Sequence, residues 1–226
     1  MPAETDVRQI NAQLNKLKLI GLSINLVDEK ELYAEIDSIN PELDVIIVPN
    51  GIRILGQSEK YMTTMRGNLK IKRVSLPESL LVIGVSVFSD LPMLSEVVIP
   101  NSVEKIDKFA FSDCINLRKI TLGNSIKEIG KGAFYECKIE EELNFPNSLE
   151  ALGREAFYNN NITKISFNGC KNNLFLGNRC FGSCKNLEEV KGLTNGIDIN
   201  KVFYGCKRLK LDLRGDRDAK DKQENH

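Results

Sequence analysis

Six cysteines are the side chains of this chain best suited to chemistry, and their spacing decides which chemistry. Cys180-x-x-x-Cys184 could give two thiolates to zinc, but a closed zinc site takes four ligands at compact spacing, commonly with histidine among them. The only histidine is the last residue, His226. Its position removes Ser–His and Cys–His nucleophile pairs, His-ligated metal sites and imidazole acid–base work. Carboxylates remain, as Glu141-Glu142 with Lys164. Neighbours in a strand point to opposite faces, so both glutamates can face solvent only if the strand begins after them, at Leu143. The expectation is therefore no enzyme, no cofactor and no metal.

Charge and hydropathy narrow the partners. Lys+Arg and Asp+Glu each number 31, which leaves no basic field to draw the chain onto nucleic acid. No apolar run approaches the ~20 residues that span a bilayer, and MPAETDVRQINAQLNK lacks the basic-then-apolar order of a secretory leader. A cytoplasmic location is expected, with an exported or surface-associated protein as the alternative if a leader was removed.

The cysteines make more sense within a periodic chain. Phe88, Phe111, Phe134, Phe157, Phe181 and Phe203 recur at intervals of 23, 23, 23, 24 and 22 residues. Cys114, Cys137, Cys184 and Cys206 each stand three residues after such a Phe, with Asn160 in that slot once. Cys180 replaces the small residue before the Phe (Val87, Ala110, Ala133, Ala156, Val202), and Cys170 replaces the serine of Ser102, Ser125 and Ser148. All six are thus repeat positions, expected to form a buried ladder of free thiols suited to a reducing compartment. In an exported protein, Cys114 and Cys137 could come close enough to bond, because adjacent rungs lie about 5 Å apart.

The rest of the repeat supplies the elements. Each unit reads as a short strand (Val97-Val98-Ile99, Ile120-Thr121-Leu122, Leu143-Asn144-Phe145, Ile165-Ser166-Phe167), a turn, a second extended segment such as Val103 to Ile106, and a helical turn around the Phe. Gly84, Asp107, Gly130, Gly153 and Gly177, four residues before the Phe, suggest a recurring positive φ that lapses at Ile199. One unit cannot bury its own apolar side, whereas stacked units can.

The stretch Ile99-Pro100-Asn101-Ser102-Val103-x-x-Ile106-x-x-x-Ala110-Phe111-x-x-Cys114-x-x-Leu117-x-x-Ile120 resembles the BspA-type leucine-rich repeat. The resemblance implies an α/β repeat: a curved leucine-rich repeat solenoid of short parallel strands, turns and short helical segments, used for protein contact or adhesion and carrying no catalytic residues. It covers roughly residues 44–213.

Residues 1–43 lie outside the repeat. Val7, Ile10, Leu14 and Leu17 predict an amphipathic helix over Asp6 to Leu19 with Thr5 as its N-cap, and Leu22-Ile24-Leu26 with Leu32-Ala34-Ile36 predict a hairpin. Together they read as a cap on the first rung. A degenerate first unit runs from Ile46 to Gly56, and its next strand begins 28 residues on at Val74, with Tyr61, Met62 and Met65 in the extra loop. In the third full unit Ile139 is expected to replace Glu140 in the apolar slot. In the fifth, Phe175 is expected to replace Lys171-Asn172-Asn173. Residues 214–226 form a charged tail, in which Arg214-Gly215-Asp216 is read as a chance match to an adhesive tripeptide.

What stacking leaves unexplained is the outward side of the strands. Five rungs contribute Ser95, Glu96 and Val98; Arg118, Lys119 and Thr121; Glu141, Glu142 and Asn144; Thr163, Lys164 and Ser166; and Glu188, Glu189 and Lys191. On a concave sheet, six rungs about 4.8 Å apart would span roughly 25 Å, enough for a peptide or a domain edge. These residues are either cross-strand ion pairs that keep the sheet soluble or the site of a protein partner. The expected function is protein–protein interaction on that face. The alternative is a self-assembling structural or adhesive protein that stacks through a weakly capped C-terminal end.

Overall fold

The computed structural model describes residues 4–57, 70–170, 173–193 and 196–210. Helix α1 (Glu4–Leu19) buries Ile10 and Leu14, the apolar stripe expected of it. It begins before Thr5, which therefore lies inside the helix instead of capping it. Gly21, at φ 86, closes it by returning its N–H to the Lys18 carbonyl. Strands β1 (Leu22–Asp28) and β2 (Tyr33–Ile39) form the predicted antiparallel hairpin, with the Asp28 carboxylate accepting the Lys30 and Glu31 N–H groups in the turn.

The repeats then wind as a solenoid with two strand series. The second extended segments are β4 (Ile54–Gln57), β6 (Val82–Ile83), β8 (Lys105–Ile106), β10 (Glu128–Ile129), β12 (Ala151–Leu152) and β14 (Phe175–Leu176). They pair in parallel and continue the hairpin into one eight-stranded sheet, β1-β2-β4-β6-β8-β10-β12-β14. The first extended segments are β3 (Val45–Ile47), β5 (Arg73–Ser75), β7 (Glu96–Val98), β9 (Lys119–Thr121), β11 (Leu143–Asn144), β13 (Lys164–Ser166) and β15 (Glu189–Lys191). Ile46 pairs with Val74 and Leu55 with Ile83, so the degenerate first unit is a true rung of 28 residues. Tyr61, Met62 and Met65 lie outside the described residues.

The core is a set of columns. Phe88, Phe111, Phe134, Phe157, Phe181 and Phe203 stack with centroids 5.3, 5.2, 5.1, 5.4 and 5.6 Å apart, beside the small Val87, Ala110, Ala133, Ala156 and Cys180. The cysteine ladder has a polar purpose as well as a size. The thiols of Cys114, Cys137, Cys184 and Cys206 donate to the carbonyls of Phe88, Phe111, Phe157 and Phe181 one rung back, at 3.0–3.3 Å. Asn160 uses its side-chain amide in the same way on Phe134, at 2.8 Å.

Glycine four residues before the Phe is explained by close approach, which corrects the positive-φ expectation. A Cβ on Gly130, Gly153 or Gly177 would stand 2.5–2.8 Å from backbone atoms of the preceding rung. The left-handed residues lie two before and two after the Phe: Phe109 and Asp113 at φ 58 and 61, Glu155 and Asn159 at 58 and 56, Arg179 and Ser183 at 56 and 58. With the Phe they send three N–H groups to the following rung, as Phe109, Phe111 and Asp113 do to the Lys131, Ala133 and Tyr135 carbonyls at 2.8–2.9 Å. The type of residue at these positions varies, so no periodic glycine marks them.

At the last described rung this forward ladder stops. Helix α2 (Ile199–Val202), N-capped by Asp198, turns the Lys201, Val202 and Phe203 N–H groups back onto Asp198 and Ile199. Ile199 breaks the glycine pattern because it opens this helix.

Candidate interaction face

The outward residues of β7, β9, β11, β13 and β15 are exposed, save Ser166 and Glu189, which are half-buried. Val97, Ile120, Leu143 and Ile165 point inward from the same strands. Because β11 begins at Leu143, Glu141 and Glu142 both lie before it and both face solvent. Ile139 fills the slot expected of it, 1% exposed, and Glu140 is thrown outward.

The charges pair between rungs. Arg118 meets Glu140 at 2.9 Å, Lys119 meets Glu141 at 3.8 Å, Lys164 meets Glu189 at 3.6 Å, and Arg208 meets Glu188 at 3.7 Å. Within β15, Lys191 also meets Glu189 at 3.0 Å; its hydrogen bond lowers the Glu189 pKa, and Glu189 in return raises that of Lys191. These pairs are exposed and individually weak. Glu96 and Glu142 stand outside these five pairs. Glu140 and Arg208, partners in them, were missing from the sequence-derived set because Glu140 lies where the repeat register is irregular and Arg208 stands in the turn ahead of Leu209, outside the strand positions.

The face is not the continuous ladder the repeat predicts. Its strands fall into three sheets, β3-β5, β7-β9 and β11-β13-β15, so strand pairing is missing between β5 and β7 and again between β9 and β11. The irregular third unit accounts for the break between β9 and β11. With Ile139 taken early for the core, the chain reaches β11 through three exposed glutamates, and only Leu143 and Asn144 remain to pair. A groove of about 610 Å³ opens at this place. Ile120, Leu122, Leu143 and Phe145 give it an apolar floor, and the exposed Thr121, Glu142 and Asn144 a polar rim. No aromatic ring stands on the rim. Among the described residues no three His, Cys, Asp or Glu side chains gather as a metal site, and no helix is long and apolar enough to cross a membrane.

The profile of the BspA type leucine-rich repeat region matches six copies across residues 63–188 and 111–214, more than half of the chain. The chain belongs to this family. Among solved structures this BspA-type protein is similar to a T. pallidum leucine-rich repeat protein, with 24% identity and a TM-score of 0.66 over 90% of this chain and 94% of that one. A Bacteroides ovatus ATCC 8483 leucine-rich repeat protein aligns with 22% identity and a TM-score of 0.54, over 74% of this chain and 47% of that one. This chain thus spans about half the length of the Bacteroides protein. Both share its fold. No curated protein matches it in sequence. Leucine-rich repeat membership supports a protein-interaction or surface repeat protein, in a family that is generally non-enzymatic.

Proposed function

We propose that this BspA-type protein is a non-enzymatic interaction module whose partner, a protein, lies across β7, β9, β11, β13 and β15 with its contact centred on the groove between β9 and β11. The observation that carries this reading is the interrupted ladder. Two facing strand edges without mutual pairing flank an apolar floor, between Arg118-Lys119 on one side and Glu140, Glu141 and Glu142 on the other. An extended segment can bond to such edges through its main chain while its side chains meet the charges. Residues 1–43 act in this reading as a cap, residues 44–213 as the solenoid and 214–226 as a charged extension.

Without Trp or Tyr anchors the affinity is moderate and falls with salt. The triple variant Arg118→Glu, Lys119→Glu, Lys164→Glu is expected to lose partners captured by the wild type while unfolding at nearly the same temperature, since exposed pairs contribute about 0–1 kcal/mol each. Capture that is unaffected by the three reversals rejects this face.

Self-association is the second reading, favoured by one feature. Among the described residues β14 has no following strand, and its outward Phe175 is 62% exposed. Leu174 fills the apolar slot instead, because pairing of Phe175 with Ala151 and Leu176 with Leu152 turns Leu174 inward and Phe175 out. An exposed apolar edge invites pairing. Light scattering that grows with concentration in the wild type and not in Phe175→Lys supports assembly; a constant monomer mass discards it.

The compartment is a separate proposal. Thiols that serve as donors to buried carbonyls suit a reducing, cytoplasmic setting, with surface exposure as the alternative.

A further inference from the structure

We infer that Cys206 is a thiol-modification site for low-molecular-weight disulfides, with Cys184 as its resolving partner. The inference is independent of the partner face, because the pair sits at the C-terminal end of the Phe column. Cys184 and Cys206 occupy one repeat slot in successive rungs. The alignment is fixed on either side, by Phe181 and Phe203 stacking at 5.6 Å and by the Ser183 N–H donating to the Tyr204 carbonyl at 2.7 Å. Two residues opposed on adjacent rungs have Cα atoms about 5 Å apart, within the range a disulfide accepts.

Position in the stack separates Cys206 from the other thiols. Cys114, Cys137, Cys180 and Cys184 are fully buried, each covered by a rung on either side. Cys206 belongs to the last described rung. It is half-exposed and lines a cavity of about 410 Å³ with Ile199, Phe203, Tyr204 and Leu209, wide enough for a small disulfide to enter. The adjacent Cys184 side chain lowers the Cys206 pKa, and Cys206 in return raises that of Cys184. Burial pushes Cys114 up to about 12 and raises Cys137 as well, so the equivalent inner pair stays protonated. Cys170, the other half-exposed thiol, is raised by burial. Since the thiolate is the nucleophile, Cys206 reacts ahead of the others.

The chemistry balances in two exchanges. The Cys206 thiolate attacks one sulfur of the reagent disulfide, whose S–S bond breaks and releases one thiolate, leaving a mixed disulfide on Cys206. Cys184 then gives up its proton to solvent, attacks the Cys206 sulfur and expels the second reagent thiolate. Both cysteines are oxidised to one disulfide, and the reagent is reduced to two thiols.

The probe is an aromatic disulfide that releases a coloured thiolate, added to the full-length, reduced protein without denaturant. Wild type is expected to release two equivalents per chain in the fast phase, keep no adduct, and yield a Cys184–Cys206 linked peptide on mapping. Cys184→Ser should release one and retain the adduct on Cys206. Cys206→Ser should have no fast phase. Serine preserves a donor to the Phe157 or Phe181 carbonyl, and far-UV circular dichroism checks folding. A fast phase surviving in Cys206→Ser, or wild-type peptides linked through Cys114, Cys137 or Cys170, overturns the assignment whatever the variants' stability. Glutathione disulfide then reports whether a peptide-sized reagent enters; failure with both reagents equally overturns the site.

Discussion

Phe134→Ala is expected to destabilise the protein by about 4 kcal/mol, the range for a buried aromatic truncated to a methyl group. Phe134 lies mid-column, fully buried, with Phe111 at 5.2 Å and Phe157 at 5.1 Å. The residues beside it, Ala110, Ala133 and Ala156, are too short to move into the space. The backbone cannot collapse either, because the Phe134 N–H and its neighbours are committed to the next rung. The cavity therefore persists, and with it the full cost. Phe203→Ala, with a single stacking neighbour among the described residues, should cost about half as much. Urea unfolding followed by circular dichroism checks both. A loss under about 1 kcal/mol for Phe134→Ala would mean that the column does not act as one packed unit.

Asn160→Leu should cost about 3 kcal/mol, although leucine is apolar and the site is buried. Asn160 donates to the Phe134 carbonyl at 2.8 Å and accepts the Ile139 N–H at 3.0 Å. Leucine leaves both unpaired. Asn160→Cys is the informative comparison, since it restores the commonest residue of the slot. It should still cost about 1.5 kcal/mol, because a thiol can serve the Phe134 carbonyl while the Ile139 N–H remains without its acceptor. The predicted order is wild type above Cys above Leu. A Cys variant as stable as wild type would show that Ile139 finds another partner.

This pair shows what the sequence could and could not convey. The early Ile139 and the missing cysteine look like separate irregularities; in the structure they are one accommodation, joined by a hydrogen bond over 21 positions. Positions that fill the interior were legible because packing demands the same side-chain type on every rung. Phe, Ala, Leu and Cys therefore repeat, and the hairpin and amphipathic helix follow from apolar spacing. Backbone conformation was not legible. The left-handed positions are imposed by the inter-rung ladder on whatever residue stands there, Phe109 and Glu155 included, and glycine recurs where backbones approach. Phe175 misled because an insertion upstream moved the register, and the alternation of β14 then turned it outward. On the strand face, exposure of thirteen of the fifteen residues could be read from their spacing, Ser166 and Glu189 being half-buried. The rupture between β9 and β11 could not, because it arises from how one irregular unit pairs.

We propose that the inner repeats build the scaffold and that the partner engages the interrupted strand face. Amide hydrogen exchange of the protein, free and saturated with a captured partner, tests it most directly. Slowed exchange is expected in residues 118–122 and 141–145, on both sides of the groove, with the turns around Phe111 and Phe134 unchanged. Protection confined to those turns, or to the edge strand β14, with none at β9 and β11, would contradict it.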